Sequence, residues 1–211
     1  RITGNKNGKV YLLCTDGVAE FDLTTQKFKT LLQGNVDAIY FNEKLYIGKR
    51  EEVFVYNEST GNFDLYYHLA GKDITLSCLH LDEKKNLWMG TTSNGLYCLS
   101  GDKKISQPVT RGNIASIYED SSKELWICTW EEGLYRIKTD STIENFRHDP
   151  KNPNSICTDF VRSCCEDNAG NLWIGTFHGL NRYEKSTGKF QLYTANANKP
   201  DGLTHSSIWC I

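Results

Sequence analysis

Gly170-Asn171-Leu172-Trp173-Ile174-Gly175-Thr176-Phe177-His178-Gly179-Leu180-Asn181-Arg182-Tyr183 reads as a polar turn, a short apolar run, a tight turn at Gly179 and a second run. That order predicts a β-hairpin, with glycine supplying the backbone angles the turn demands. Leu172-Trp173-Ile174 recurs as Leu125-Trp126-Ile127 and Leu87-Trp88-Met89, and more weakly as Leu45-Tyr46-Ile47 and Val10-Tyr11-Leu12. The central aromatic stands at 11, 46, 88, 126 and 173, so the steps are 35, 42, 38 and 47 residues. The turn glycine repeats as Gly17, Gly95 and Gly133, with Glu52 at the second copy. Another run follows each turn, and an apolar anchor follows that run at Phe28, Phe63, Ile105, Ile143 and Phe190. Before the later copies stands a run ending in Asn42, Asp82, Asp120 or Asp167.

Each unit therefore predicts four short strands, and a period of about 40 residues with four strands per unit is the pattern of a β-propeller blade. A lone blade cannot bury its two faces, whereas stacked blades can. That is why the Leu-Trp-Ile runs are continuously apolar rather than alternating. The expected fold is all-β: a partial propeller of about five four-stranded antiparallel blades, at about 1–32, 35–69, 73–106, 113–146 and 158–194. Ser206-Ser207-Ile208-Trp209-Cys210-Ile211 matches the inner strand of a further blade. It has two expected fates: to begin that blade and leave an open edge, or to pair with Val10 to Cys14 and close a ring. Arg1 to Asn5 is expected as an inner strand, Asn7-Gly8 as a turn, and Lys199-Pro200-Asp201-Gly202 as part of a connection. Between the fourth and fifth units, Arg147 to Ser155 carries Pro150 and Pro153 and predicts an ordered irregular loop. No stretch shows a helical apolar period.

With 211 residues, 12% aromatic and 24% charged, the chain has room for a sizeable core and an ordinary globular composition. Its net charge is −2 with both signs interspersed, so no basic stripe points to nucleic acid. Arg1 in place of Met, and an apolar run cut at Ile211, read as a piece of a longer protein. Eight cysteines include no Cys-x-x-Cys, which removes support for a zinc ribbon or a thioredoxin-like motif. Most fall inside predicted strands and read as small buried apolar side chains, a usage that favours a reducing compartment.

No catalytic constellation stands out: there is no Gly-x-Ser-x-Gly elbow, no His-Glu-x-x-His and no phosphate loop. No catalytic residue, metal ligand or cofactor is therefore assigned. His80 is expected to bond Asp82, and the recurrent Asp82, Asp120 and Asp167 to cap the backbone of a turn. Trp88, Trp126 and Trp173 are expected to pack between blades. Turn tips that vary on a constant frame are where recognition evolves. The candidate ligand-binding residues are thus Trp130 and Phe177, to stack on a sugar face, with Arg50, Asn94, Glu131 and His178 as polar partners.

Asp167-Asn168-Ala169-Gly170-Asn171-Leu172-Trp173-Ile174-Gly175-Thr176 and Gly179-Leu180-Asn181-Arg182-Tyr183 resemble the two-component regulator propeller repeat. His148-Asp149-Pro150, Asn152-Pro153-Asn154-Ser155 and Ser186-Thr187-Gly188-Lys189-Phe190 extend the likeness; the third and fourth units match well, the second moderately and the first weakly, so that it spans nearly the whole chain. Departures are Glu52 at the turn glycine, and Cys128 and Leu13 at the position of Gly175. The resemblance implies the periplasmic sensor region of a hybrid two-component regulator. Such a region senses glycan-derived oligosaccharides and signals to a histidine kinase that controls polysaccharide-utilisation genes. It implies neighbouring propeller and β-sandwich domains in the same chain, a homodimeric receptor, and no nucleic-acid contact by this segment. Two other classes stay open: a propeller lyase or hydrolase of the streptogramin-lyase type, which needs clustered histidine and acid at the channel mouth, and a protein-interaction scaffold.

Overall fold

A computed structural model describes residues 2–4, 8–71, 73–102, 104–109, 112–196 and 202–211. Arg1, Asn5, Asn7 and Lys199 to Asp201, expected in a strand, a turn and a connection, lie outside the described residues. The chain folds into five four-stranded antiparallel sheets, each built from consecutive strands. They are β1 (Ile2–Gly4), β2 (Lys9–Cys14), β3 (Gly17–Asp22) and β4 (Lys27–Gln33); then β5 (Ala38–Asn42), β6 (Lys44–Lys49), β7 (Glu52–Asn57) and β8 (Asn62–His68). The third sheet holds β9 (Leu76–Leu81), β10 (Leu87–Thr91), β11 (Leu96–Leu99) and β12 (Ile105–Val109). The fourth holds β13 (Ile114–Glu119), β14 (Leu125–Thr129), β15 (Leu134–Ile137) and β16 (Ile143–Phe146). The fifth holds β17 (Val161–Glu166), β18 (Leu172–Thr176), β19 (Gly179–Glu184) and β20 (Lys189–Tyr193). This is the blade architecture expected from the repeat. Among the described residues there is no helix, and so none long and apolar enough to cross a membrane.

The core consists of four clusters, one at each junction between successive blades. Strand alternation assigns the faces. In β10, Leu87 and Met89 pack with Tyr46 and Val53 of the blade before, while Trp88 packs with Leu125 and Ile127 of the blade after. In β14, Leu125 and Ile127 look back to Trp88, and Trp126 and Cys128 look forward to Leu172 and Ile174. Both faces are dry, which accounts for five consecutive buried residues in each of these strands. Trp126 is fully buried and its ring lies 5.5 Å from Tyr183 of the following blade. Trp173 is half-buried beside Tyr193 of its own blade, 5.6 Å between centroids. The inter-blade role expected of the tryptophans thus applies to Trp88 and Trp126.

Gly48, Gly90 and Gly175 let the next inner strand approach. A Cβ there would stand 3.0 Å from Leu76, 2.7 Å from Ile114 and 2.8 Å from Ile208 respectively. Cys128 fills the same place in the fourth blade, its Sγ 3.6 Å from that of Cys164 on the next inner strand. All eight cysteines are free thiols; Cys78, Cys98, Cys128 and Cys164 are buried, whereas Cys14 and Cys210 are exposed. The bond from Cys128 and burial together push the Cys164 thiol well above its usual range.

Residues 206–211 correct one expectation in two respects. They do not pair with Val10 to Cys14, because β2 already lies between β1 and β3. Nor do they form a strand. Ile208 sits against Gly175 where an inner strand begins, and its N–H donates to the Thr176 carbonyl at 2.9 Å. Among the described residues the segment has no strand pairing.

Candidate functional site at the channel mouth

One end of the blades gathers the β2–β3, β6–β7, β10–β11, β14–β15 and β18–β19 turns together with the links between blades. Backbone bonds fasten the two sets: Gly34 N–H to Asp16 O at 2.9 Å, Leu69 N–H to Glu51 O at 2.9 Å, and Gly133 N–H to Asp159 O at 3.0 Å. In the last three blades a buried threonine closes the turn from beneath. Thr91, Thr129 and Thr176 donate their hydroxyls to the carbonyls of Gly95, Gly133 and Gly179 at 2.8, 2.7 and 2.8 Å. The same hydroxyl oxygens accept from the N–H groups of Asn94, Glu132 and His178. The tips are therefore rigid platforms.

The inner-strand registers place Leu76, Ile114 and Val161 opposite Thr91, Thr129 and Thr176. Ser77, Ala115 and Arg162 then occupy one equivalent position, and the seat of Ile208 gives Trp209 the next place in that row. Arg162 is 7% exposed. Its guanidinium carbon lies 4.7 Å from the Trp130 ring, 4.8 Å from Phe177 and 3.3 Å from Trp209. Its backbone carbonyl is held by the Ser116 hydroxyl at 2.9 Å. Phe160 stands at the edge of Phe177, 6.4 Å between centroids. A cavity of about 340 Å³ opens here, with Ser77, Asn113, Ala115, Trp130, Arg162 and Trp209 among its walls.

Of the six residues proposed from sequence, Trp130 and Phe177 meet over Arg162. His178 follows Phe177 at the exposed tip, its ring 6.2 Å from Phe177. Glu131 is exposed, and its carbonyl accepts from Arg147 at 3.3 Å. Asn94 belongs to the third-blade tip, where its side-chain oxygen accepts from Ser93 at 3.0 Å and its carbonyl from Gln107. Arg50 lies on the second blade in a left-handed conformation, φ 52°, its N–H bonded to Asp37 at 2.6 Å. Neither Asn94 nor Arg50 joins the aromatic cluster. Sequence reasoning missed Arg162, Phe160 and Trp209. The available signal was a lone basic residue on an inner strand, at a position where the neighbouring copies carry Ser77 and Ala115.

The opposite end is structural. Trp88, Trp126 and Trp173 donate their indole N–H to Asp82, Asp120 and Asp167 at 2.8, 2.9 and 2.8 Å. The other carboxylate oxygen caps the turn at the N–H of Asn86, Glu124 and Asn171. His80 does not bond Asp82 as expected. Asp82 is committed to Trp88, and the His80 ring faces Glu119 of the next blade at 3.4 Å. Burial outweighs that carboxylate and lowers the His80 pKa. A hollow of about 480 Å³ at this end, bordered by Tyr11, Phe41 and Lys44, is larger than the mouth cavity. It contains no buried charge left without a partner, and we place the candidate site at the mouth. Among the described residues no group of His, Cys, Asp or Glu is arranged to hold a metal.

Residues 155–178 match the family described as the two component regulator propeller. No curated protein sequence matches the chain. Among solved structures, virginiamycin B lyase from Staphylococcus aureus superposes with a TM-score of 0.72 at 16% identity, over 93% of this chain and 70% of that one. The extracellular domain of a one component system from B. thetaiotaomicron superposes with a TM-score of 0.69 at 18% identity, over 96% of this chain. That of a hybrid two component system from the same organism gives 0.62 at 20% identity, over the whole of this chain. The chain spans 36% and 35% of those two extracellular domains. On its repeats and its five sheets the chain is a β-propeller segment, and residues 155–178, in the link to its fifth blade and the first strands of that blade, match the two component regulator propeller model.

Proposed function

We propose that this chain is a ligand-sensing segment in the extracytoplasmic part of a two component regulator. In this reading the channel mouth receives oligosaccharides derived from glycans. The signal passes through the same protein to a histidine kinase that controls polysaccharide-utilisation genes. The chain is itself non-catalytic, lies on the periplasmic side, and works beside further propeller and β-sandwich domains in a homodimeric receptor. The observation that carries the reading is the mouth itself: Trp130, Phe177 and Trp209 around Arg162, on rigid tips above a cavity. Aromatic faces offer flat apolar area at little entropic cost, and a fixed polar group beside them orients a hydroxylated ring. The likeness to extracellular domains of two component systems supports the location.

The test is calorimetric titration of an intact ectodomain with a panel of oligosaccharides. Trp130→Ala or Phe177→Ala is expected to weaken the binding sugar by about tenfold or more, the loss of one stacked anchor. No binding by any member of the panel would overturn the reading.

The likeness to virginiamycin B lyase favours a second reading, a propeller lyase. Among the described residues the mouth presents no histidine paired with an acid, which gives that reading less support. Turnover of a virginiamycin-type substrate by the isolated ectodomain would establish it.

A further inference from the structure

No anion among the described residues pairs with the cation at the mouth, Arg162, which is 7% exposed. Its Nε is shielded from solvent and has no hydrogen-bond partner. Three acids of the surrounding tips and links are bonded elsewhere. Asp159 takes the Arg147 guanidinium at 2.7 Å and the His148 N–H at 2.8 Å; Glu132 accepts from the Tyr135 hydroxyl at 3.0 Å; Asp37 accepts from the Arg50 N–H at 2.6 Å. Glu131 is exposed at the tip. A guanidinium with so little exposed surface normally keeps an anion beside it, since screening a charge from water is costly unless it is paired. Here three aromatic rings surround it instead, and it borders an open cavity.

We propose that the mouth takes an acidic saccharide, whose carboxylate or sulfate group pairs with Arg162 while its ring packs on the flanking aromatics. This rests on the oligosaccharide reading above and narrows it to anionic ligands. The guanidinium fork matches the spacing of two oxyanion oxygens, and the aromatic walls reduce competition from water. The cavity, about 340 Å³, admits a sugar residue or two rather than a folded partner.

The experiment titrates the intact ectodomain with oligogalacturonides, with the same oligomers after reduction of their carboxyl groups, and with a sulfated oligosaccharide beside its desulfated form. The acid member of at least one pair is expected to bind about tenfold or more tightly than its neutral counterpart, the size of a charge-assisted hydrogen bond. That preference is expected to shrink as salt rises from low to near-molar ionic strength. Arg162→Gln should abolish the preference, read as the ratio of acid to neutral affinity in the variant. The salt series on the wild-type protein reads the same contact if that variant does not fold. Equal or tighter binding of the neutral members would overturn the anionic assignment and leave the sensor reading standing. Failure of every saccharide would overturn both. A crystal structure of the ectodomain showing Arg162 paired with a carboxylate of its own chain would overturn the anionic assignment alone.

Discussion

Asp120 shows how much one side chain does in this repeat. One carboxylate oxygen caps the β13–β14 turn at Ser122 and Glu124, and the other accepts from Trp126 and from Lys185 of the next blade at 2.7 Å. Lys185 also reaches Glu166 at 2.6 Å, so a single cation bridges two blades. Burial acts to raise the Asp120 pKa, but the bonds from Lys185, Trp126 and Glu124 win and hold it below the usual carboxylate range. The bonds from Asn171 and Trp173 lower that of Asp167. A carboxylate whose folded pKa is depressed stabilises above its unfolded value and loses that contribution as pH falls through the folded one. Asp120→Ala should therefore cost about 3 kcal/mol at neutral pH, as when one partner of a buried pair is removed. Asp120→Asn should flatten the acid limb of stability, the fall that begins as pH drops below the ordinary carboxylate range. Urea denaturation at neutral and acid pH measures both effects, and an unchanged acid limb would refute the assignment. The recurrence of aspartate before each Leu-Trp was enough to predict the cap. Its second bond, to the indole, was not legible, because it depends on Trp126 reaching back over the turn. Arg162 was illegible for a related reason: one basic residue has no period, and its aromatic neighbours come from 130, 177 and 209.

At the scale of the element, the repeat was read correctly because each run is short, apolar and punctuated by turn residues. The turns themselves differ in ways that the spacing only suggested. Cys14 faces Gly17 and Thr176 faces Gly179 across two-residue tips, and Lys49 faces Glu52 across Arg50-Glu51. There the left-handed residue is Arg50, φ 52°, which explains how Glu52 can replace the glycine. In the longer third and fourth tips Gly95 and Gly133 take φ 79° and 81°. A Cβ on Gly133 would strike the Phe146 carbonyl oxygen and approach the Asp159 carboxylate at 3.4 Å. Gly133→Ala should cost about 3 kcal/mol, the left-handed penalty together with displacement of backbone. Gly61→Ala makes the control: its φ is 71°, yet nothing stands within 4 Å of the new carbon, and it should cost only about 1 kcal/mol. Equal losses in thermal denaturation would show that crowding at the tip does not matter. The terminal run marks the limit of element-level reading. Its composition names an inner strand, but a strand needs a hydrogen-bonded neighbour, and the described chain offers Ile208 only the Thr176 carbonyl.

Across the whole molecule, stability follows from where the four clusters lie. The third and fourth blades each contribute to two of them, whereas the first contributes to one. The outer strand of the first blade leaves Phe28 68% exposed, while Met89 and Ile127 in the middle blades are fully buried. In an array where each unit contacts mainly its neighbours, opening an end unit breaks one interface and opening a middle unit breaks two. Local opening free energies should therefore rise inward from the first blade. Native-state hydrogen exchange is the measurement: the amides of Met89 and Ile127 should exchange at least about tenfold more slowly than those of Ala19 and Thr30, which are also in ladders. Trp126→Ala, which removes the largest fully buried side chain and hollows the junction between the fourth and fifth blades, should bring the exchange of Ile174 up toward that of the first blade. It should leave Tyr11, three junctions away, nearly unchanged. Uniform exchange across the blades, or a Trp126→Ala effect that spreads equally to Tyr11, would mean that the segment opens as one cooperative body. The mouth would then be held by the whole array of blade contacts rather than by the two blades that supply Trp130 and Arg162.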